Sequence, residues 1–287
     1  MSPSGRPEGE YRTAEPEGSQ ARALAFRVEG IAFWAPSLPG WTVARAAFRG
    51  EGAPVDPPAK RPAPEILAPA ERRRAPDSVA LALEVASAAV RASGRDPATL
   101  PSIFTSAHGD LAVNDYMCAT LATQPTAISP TRFHNSVHNA AAGYWTIATG
   151  CHEASSALTA FDASFAAGLL EAATQCATEE RPVLLVAFDV QAVGALASVT
   201  RSEGLLATAL VIAPADASGG TRGPTFAATL VPGPSRAVPL RSAAARALAD
   251  NAMADALPFF EALALGPGSA LDLPLSRTLA LRLAATA

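Results

Sequence analysis

The stretch of sequence that decides the fold is Ser155-Ser156-Ala157-Leu158-Thr159-Ala160-Phe161-Asp162-Ala163-Ser164-Phe165-Ala166-Ala167-Gly168-Leu169-Leu170-Glu171-Ala172. Its pattern predicts a short strand, a sharp turn and then a buried helix. Many enzymes place a nucleophile at such a junction, where a side chain meets both a tight backbone and the positive end of a helix. The junction residue is Phe161, which has no nucleophilic atom. The pattern therefore indicates the strand–turn–helix backbone that positions a nucleophile in enzymes, without the reactive side chain.

The composition is that of a globular protein with a sizeable core, since 49% of the 287 residues are hydrophobic and 17% are charged. The net charge of −4, with no basic stripe, argues against a nucleic-acid partner. No apolar run is long enough to span a bilayer. Residues 1–22 are rich in Pro, Gly, Glu and Ser, which predicts a disordered tail and is unlike a signal peptide.

The three cysteines, Cys118, Cys151 and Cys176, have no paired spacing, which argues against a disulfide framework and a structural zinc site. Cys118 and Cys176 lie in Ala/Leu-rich segments, where a buried and inert thiol is expected. A reducing cytoplasm is the expected location. No glycine-rich nucleotide-binding motif is present, so we expect no nucleotide cofactor. A bound metal is not expected either, because no HExxH motif is present.

Strands alternate with helices along the chain, which predicts an α/β domain whose sheet is covered on both faces. Asp77 is expected to cap the clearest helix and Gly94 to end it. Residues 128–132 are predicted to form a proline-containing turn, and residues 275–284 receive no assignment. The predicted helices are 41–48, 78–93, 111–123, 137–149, 163–177 and one or two within 242–264. The predicted strands are 23–33, 102–106, 155–160, 182–189, 205–212 and 225–231.

The cluster Phe133-His134-Asn135-Ser136-Val137-His138-Asn139 is a candidate site. His134 and His138 are four residues apart, so on a helix they share one face, which is a spacing found among zinc ligands. The glutamate that accompanies such a pair in the HExxH motif is missing. One alternative is that Asn135, Ser136, His138 and Asn139 cap the helix and hydrogen-bond nearby backbone. Another is that the cluster lies in a pocket or an interface.

Two other side chains are candidate nucleophiles. Ser164 could form a Ser–His–Asp arrangement with Asp162 and a histidine, but it lacks the glycines of the GxSxG elbow. Capping is the commoner task of a serine in the first helical turn, and Asp162 is likewise expected to cap the helix and favour its dipole. Cys151 is followed directly by His152, and neighbouring side chains tend to diverge, which disfavours a Cys–His pair.

Taken in order, several motifs resemble those of the β-ketoacyl-ACP synthases, which have the thiolase-like fold. Asn139-Ala140-Ala141-Ala142-Gly143, followed by Gly150, resembles the N-x-A-A-G stretch and later glycine that precede the nucleophile. Thr159-Ala160-Phe161-Asp162-Ala163-Ser164 falls where those enzymes have Thr-Ala-Cys-Ser-Ser-Gly. The region from 129 to 165 is most similar to the ketosynthase-like subfamily of bacterial aryl polyene and xanthomonadin-type pigment clusters, whose members resemble chain-length factors.

The resemblance implies a layered α/β/α arrangement in which residues 23–213 form a β-ketoacyl synthase-like N-terminal domain. Residues 214–287 would be a truncated C-terminal extension that completes the fold. Claisen condensation in this family needs a thiolate and two C-terminal histidines. Here the cysteine position is Phe161, no H-G-T-G-T stretch is present and no histidine follows His152. No catalytic role carries over, because His134 and His138 do not match the family's histidine positions.

The leading hypothesis is a non-catalytic subunit that pairs with a full β-ketoacyl-ACP synthase in fatty acid, polyene or polyketide-type chain elongation. Acyl carrier protein would be an indirect partner. Pairing is expected through the strand at 155–160, and Phe161 is expected to plug the cavity of the missing cysteine. The alternatives are an acyltransferase or hydrolase that acts on acyl-ACP or acyl-CoA through Ser164 or Cys151, and a stand-alone structural homodimer. The pocket or interface candidates are Phe161, Asp162, Ser164, His134, Asn135 and His138.

Overall fold

The described strands form one nine-stranded sheet. The computed structural model describes residues 23–216, 223–233, 238–266, 268 and 270–286, so the tail predicted at 1–22 lies outside the described residues. The strand order is β4-β3-β5-β6-β1-β7-β9-β8, with β2 paired to β1. The strands are β1 (Leu24–Ala35), β2 (Leu38–Pro39), β3 (Ser102–Thr105), β4 (Ser155–Leu158), β5 (Val183–Asp189), β6 (Leu206–Pro214), β7 (Thr225–Pro232), β8 (Leu271–Pro274) and β9 (Leu279–Thr286).

The sheet is mixed. β3 pairs in parallel with β4 and with β5, whereas the other pairs are antiparallel. β7, β9 and β8, which belong to the predicted extension 214–287, continue the same sheet beyond β1. The division of the chain at residue 213 stays a prediction.

Helices cover both faces of the sheet, as predicted. Along β5, Leu185 belongs to the cluster that contains α7 and α9, and Val186 belongs to the cluster that contains α3 and α6. This is the alternation expected of a strand buried on both faces. The helices are α1 (Trp41–Arg49), α2 (Pro69–Arg74), α3 (Asp77–Ser93), α4 (Leu111–Thr123), α5 (Pro130–His134), α6 (Ala140–Thr149), α7 (Ser164–Glu179), α8 (Ala243–Arg246) and α9 (Leu257–Leu265). None of the helices in the described ranges is long and apolar enough to cross a membrane.

The helix α7 lies close to the sheet at Gly168. Gly168 is placed where α7 crosses β3 and β5, and a Cβ at this position would approach Thr105 Cγ2 to 2.9 Å and Leu185 Cδ1 to 3.0 Å. Glycine costs roughly 1 kcal/mol relative to alanine inside a helix. Here it lets the helix rest on the strands without displacing their side chains, so the start of α7 is fixed relative to the strand ends.

Some predicted elements need correction. Asp77 is not the cap of α3, because Pro76 occupies the N-cap position and Asp77 is the first helical residue. Its carboxylate pairs instead with Arg61 at 3.3 Å. The turn predicted at 128–132 is the helix α5, which Ser129 caps by accepting the Arg132 N–H at 3.4 Å. Gly94 ends α3 in the left-handed conformation, as predicted.

The boundaries around the junction also differ from the prediction. The strand predicted at 155–160 ends at Leu158, because its partner β3 ends at Thr105, opposite Leu158. The helix predicted at 137–149 begins at Ala140, after a turn. The unassigned segment 275–284 contains a turn and most of β9.

Candidate functional site

The junction between β4 and α7 is a tight turn with an aromatic side chain at its tip. Phe161 has φ of 50°, in the left-handed region that costs an L-residue roughly 1–2 kcal/mol. It begins a 3₁₀ turn over Phe161–Ala163 that leads into α7. The sharp turn predicted at this place is therefore present, and its backbone is strained at the position where the resemblance expects a nucleophile.

Phe161 does not plug a cavity in this chain. Its side chain is 69% exposed, although burial was expected. Its ring meets the ring of His108 edge-on at 5.8 Å, and His108 Nε2 lies 3.1 Å from Thr200 Oγ1. Burial lowers the pKa of His108, while the nearby carboxylate of Asp162 acts in the opposite direction. The neutral imidazole is favoured, so the charged group of this surface is the exposed carboxylate of Asp162.

The hydroxyl of Ser164 stabilises the turn through hydrogen bonds to its backbone. Ser164 is fully buried, its Oγ donates to Phe161 O at 2.8 Å, and it accepts the Ala160 N–H at 3.0 Å. Asp162 is exposed inside the turn, and the N-cap positions belong to Ala160 and Ala163, so the predicted capping role of Asp162 is wrong. Ser164 therefore stabilises the strained turn locally and offers no free hydroxyl.

The positive end of α7 receives a carboxyl group from a distant part of the chain. Asp255 Oδ2 accepts the Phe165 N–H at 2.8 Å. Burial raises the pKa of Asp255 to about 8, against the opposing effect of the Phe165 and Ala166 N–H groups. A helix N-terminus is a natural anion site, and here the chain fills it itself. The local sequence around Asp255 carries no pattern that links it to α7, so this contact was not predicted.

A second buried carboxyl group fixes the turn that carries His108. Asp189, at the end of β5, accepts Ser106 Oγ at 2.7 Å, the Ala107 N–H at 2.8 Å and the His108 N–H at 3.3 Å. Burial raises the pKa of Asp189 to about 6, although these three hydrogen bonds act to lower it. The sequence offered only an acidic residue at the end of an apolar strand.

The His134 and His138 pair does not share a helix face. α5 ends at His134 and α6 begins only at Ala140, so the two histidines belong to different segments. His138 Nε2 lies 3.0 Å from Ser106 O, whereas the His134 ring packs on Tyr144 at 6.3 Å. Asn135 between them is buried. In the part of the chain that the structure describes, no group of three or more His, Cys, Asp or Glu residues could hold a metal ion.

The cysteines differ in environment. Cys151 is buried, and its Sγ donates to Leu100 O at 3.4 Å. Burial raises the pKa of Cys176 to about 12, so this thiol stays protonated. Cys118 is exposed on α4, so the expectation that it is buried is wrong. Neither buried thiol is reactive in the sense that a nucleophile requires.

Comparison with protein families decides which fold this is. A family model described as beta-ketoacyl synthase, N-terminal domain, matches residues 47–253. The chain belongs to the β-ketoacyl synthase N-terminal domain family. The predicted membership of this family and its thiolase-like α/β fold are thereby confirmed. A search of curated proteins gave no match.

Solved structures of ketosynthase complexes have the same fold as this β-ketoacyl synthase-family chain. A ketosynthase (ApeO) in complex with its chain length factor (ApeC) from Xenorhabdus doucetiae matches with a TM-score of 0.69 and 22% identity, over 91% of this chain and 99% of that chain. The ishigamide ketosynthase/chain length factor matches with a TM-score of 0.68 and 14% identity, over 91% and 99%. AntDE:AntF, a type II acyl-carrier protein in complex with its ketosynthase, matches with a TM-score of 0.68 and 10% identity, over 93% and 100%.

Among the described strands of this β-ketoacyl synthase-family chain, the strand beside the junction has a neighbour on one side only. β4 lies at the end of the sheet. The Ser102 N–H donates to Ala154 O at 3.0 Å and the Ser106 N–H to Leu158 O at 3.3 Å. Because alternate residues of a parallel strand bond to one neighbour, the N–H and C=O groups of Ser155 and Ala157 point away from β3.

Proposed function

We propose that this chain is a non-catalytic, chain-length-factor-like subunit that pairs with a full β-ketoacyl-ACP synthase and shapes the tunnel for its acyl chain. The observation that carries the proposal is Phe161. It retains the strained backbone of a nucleophile position, has no reactive atom, and projects outward beside an open strand. Chain elongation in this family requires a thiolate and later histidines, and the sequence has no histidine after His152.

The open edge of β4 supports pairing with a second chain. The outward N–H and C=O groups of Ser155 and Ala157 can continue the sheet into a partner's strand. The strand has no charged residue and no proline. At the other end of the sheet, β8 contains Pro274, and its Asp272 pairs with Arg282 of β9 at 2.7 Å. Proline and charge are common protections of an edge strand, so β4 is the edge suited to a partner.

An apolar surface continues from β4 and further supports pairing. The cavity between α6 and β4 is lined by both Thr146 and Ala157, so the two elements share one face. On the same helix Ile147 is 80% exposed, and nearby Phe133 and Val137 are also exposed. These three side chains line an apolar recess of about 520 Å³ between α5 and α6. Exposed apolar side chains next to an open strand are typical of a surface that becomes buried in a complex.

The matched structures support the same partner class, since two of them contain a ketosynthase and a chain length factor. Acyl carrier protein would reach this subunit indirectly, through the ketosynthase. We place the pair in the cytoplasm, where the three free thiols would stay reduced.

The alternative function is an acyltransferase or hydrolase that uses Ser164 or Cys151. The buried, hydrogen-bonded state of both side chains weighs against it. Incubation with acyl-ACP or acyl-CoA followed by intact-protein mass spectrometry tests it directly. A stable acyl adduct on either residue would establish that function and overturn the non-catalytic proposal.

Co-expression with a full ketosynthase from the same gene neighbourhood tests the proposal. We expect a stable heteromer on size-exclusion chromatography with light scattering, and a changed product length when this chain is omitted. A monodisperse homodimer that does not bind the ketosynthase would establish the stand-alone structural alternative. The absence of any complex, with an unchanged product length, would also refute the proposal.

A further inference from the structure

A second cavity lies on the other side of the sheet from α7. It has a volume of about 740 Å³ and opens between α3, α6 and the segment around Ile66. The indoles of Trp34 and Trp145 and the side chain of Val90 line it. Trp34, Trp145 and Val90 belong to the hydrophobic cluster of α3 and α6, whereas Phe165 and Leu169 of α7 belong to the other cluster. The volume lies within the usual range of small-molecule sites.

The charges around this cavity balance. Its lining contains the carboxylates of Glu65 and Glu84 and the guanidinium groups of Arg91 and Arg95. Arg95 is already held by the buried Glu29, through hydrogen bonds of 2.7 and 2.8 Å. Burial raises the pKa of Glu84, against the opposing effect of the Arg91 guanidinium. With neither sign in excess, the lining favours an uncharged ligand.

Two polar groups of the lining are buried without a partner. Trp145 Nε1 and Ser87 Oγ have no hydrogen-bond partner among the described residues. An unsatisfied buried polar group costs roughly 1–3 kcal/mol. An indole N–H can only donate, a serine hydroxyl can donate or accept, and a carboxylate such as Glu84 accepts. These side chains are therefore complementary to a ligand that carries a carbonyl oxygen next to an N–H group. Both atoms are covered by neighbouring groups, so direct contact with a ligand requires the side chains around them to move.

We propose that this cavity binds an uncharged planar amide, with its ring between the apolar walls, its carbonyl oxygen at Trp145 and Ser87, and its N–H at Glu84. Such a site is separate from the pairing surface at β4 and independent of the proposed function. Trp34 and Trp145, which are 6% and 1% exposed, form part of the cavity wall, and aromatic walls are common in small-molecule sites. The polar groups fix the orientation of the amide.

Titration of the ¹⁵N-labelled chain with benzamide, followed by ¹H–¹⁵N NMR, tests the proposal. The chain has three tryptophans, so three indole N–H signals are expected. The Trp145 signal, assigned with Trp145→Phe, should shift saturably. The Trp41 signal should not move, because Trp41 packs on Phe260 at 5.9 Å in the other hydrophobic cluster. Ser87→Ala should weaken the apparent affinity about fivefold, the value of one hydrogen bond, and Glu84→Gln should also weaken it.

Two further ligands, benzoate and ethylbenzene, distinguish an amide-binding site from a merely apolar recess. Benzoate, which replaces the amide by a charge, and ethylbenzene, which has no polar group, should both bind more weakly than benzamide. Ethylbenzene binding as tightly as benzamide would show only an apolar recess and overturn the amide assignment. No movement of the Trp145 signal with millimolar benzamide would overturn the site itself. An unchanged affinity of Ser87→Ala would overturn the placement of the carbonyl oxygen.

Discussion

Replacing Ile147 with lysine puts a charge in the middle of the surface proposed to face the ketosynthase. Ile147 is 80% exposed in this chain and lies in the last turn of α6. Full burial of an isoleucine side chain is worth roughly 1.5–3 kcal/mol. Since four-fifths of this side chain is open, a partner that covers it gains about 2 kcal/mol. Losing that amount weakens the complex about 30-fold, and desolvation of the ammonium group adds to the loss.

Lysine is chosen so that damage to the helix cannot explain the result. A cation near the C-terminus of a helix interacts favourably with its dipole, so the free energy of unfolding of Ile147→Lys should stay within about 0.5 kcal/mol of the parent. The matched control is Leu230→Lys. Leu230 is also exposed but lies on β7, five strands away from β4, or roughly 24 Å.

The assay is the dissociation constant of the complex with the full ketosynthase, measured by calorimetry, together with urea unfolding of each variant alone. Ile147→Lys should lose at least about 30-fold in affinity, and Leu230→Lys should bind like the parent. An unchanged affinity of Ile147→Lys would refute the pairing surface. Equal losses in both variants would show that the effect is not local to α6.

Two more predictions concern the junction and its buried acids. Phe161→Cys should show no condensation activity alone, because a thiolate without the later histidines cannot promote decarboxylation; product formed from malonyl-ACP by this variant alone would contradict the account. Because burial raises the pKa of Asp189 to about 6, the folded chain holds a proton on it between pH ~4 and ~6 that the unfolded chain has released. The free energy of unfolding should therefore fall as the pH rises through this window, by on the order of 3 kcal/mol from this group. Asp255, with a pKa of about 8, makes the fall in the free energy of unfolding steeper and extends that fall to higher pH. In urea unfolding, Asp189→Asn should therefore remove about half of the fall between pH ~4 and ~6. A profile as steep as that of the parent would rule out this assignment.

The sequence predicted the junction well because its signals are local. The sharp turn, the buried helix and the absent nucleophile are all contained in residues 155–172, and the structure has the strained Phe161 backbone in that place. The exposure of Phe161 was not predictable in the same way. Phenylalanine is among the residues most often buried, and its surroundings depend on which distant segments pack around the turn.

The wrong secondary-structure predictions elsewhere have two causes. Either the local pattern fits a conformation that the chain leaves, or pairing with distant strands overrides the local preference. The spacing of His134 and His138 matches one helix, but the chain leaves the helical conformation after His134 and re-enters it at Ala140. In β9, Leu279, Leu281 and Leu283 alternate as in a strand, yet leucine and alanine are strong helix formers, which hid the pattern. Pairing with β7 and β8 decides the conformation there.

The protected edge at β8 has a consequence for the number of chains in a complex. A sheet with two open edges can accept a strand at each end, and such contacts can propagate into fibres. Here Pro274 and the ion pair of Asp272 with Arg282 close one end, so growth by strand addition can proceed only from β4. With β4 covered in the proposed complex, the other end of the described strand order is the protected strand β8. The far end of the sheet, seven strands from β4, thus disfavours recruitment of a third chain by strand addition to the proposed complex.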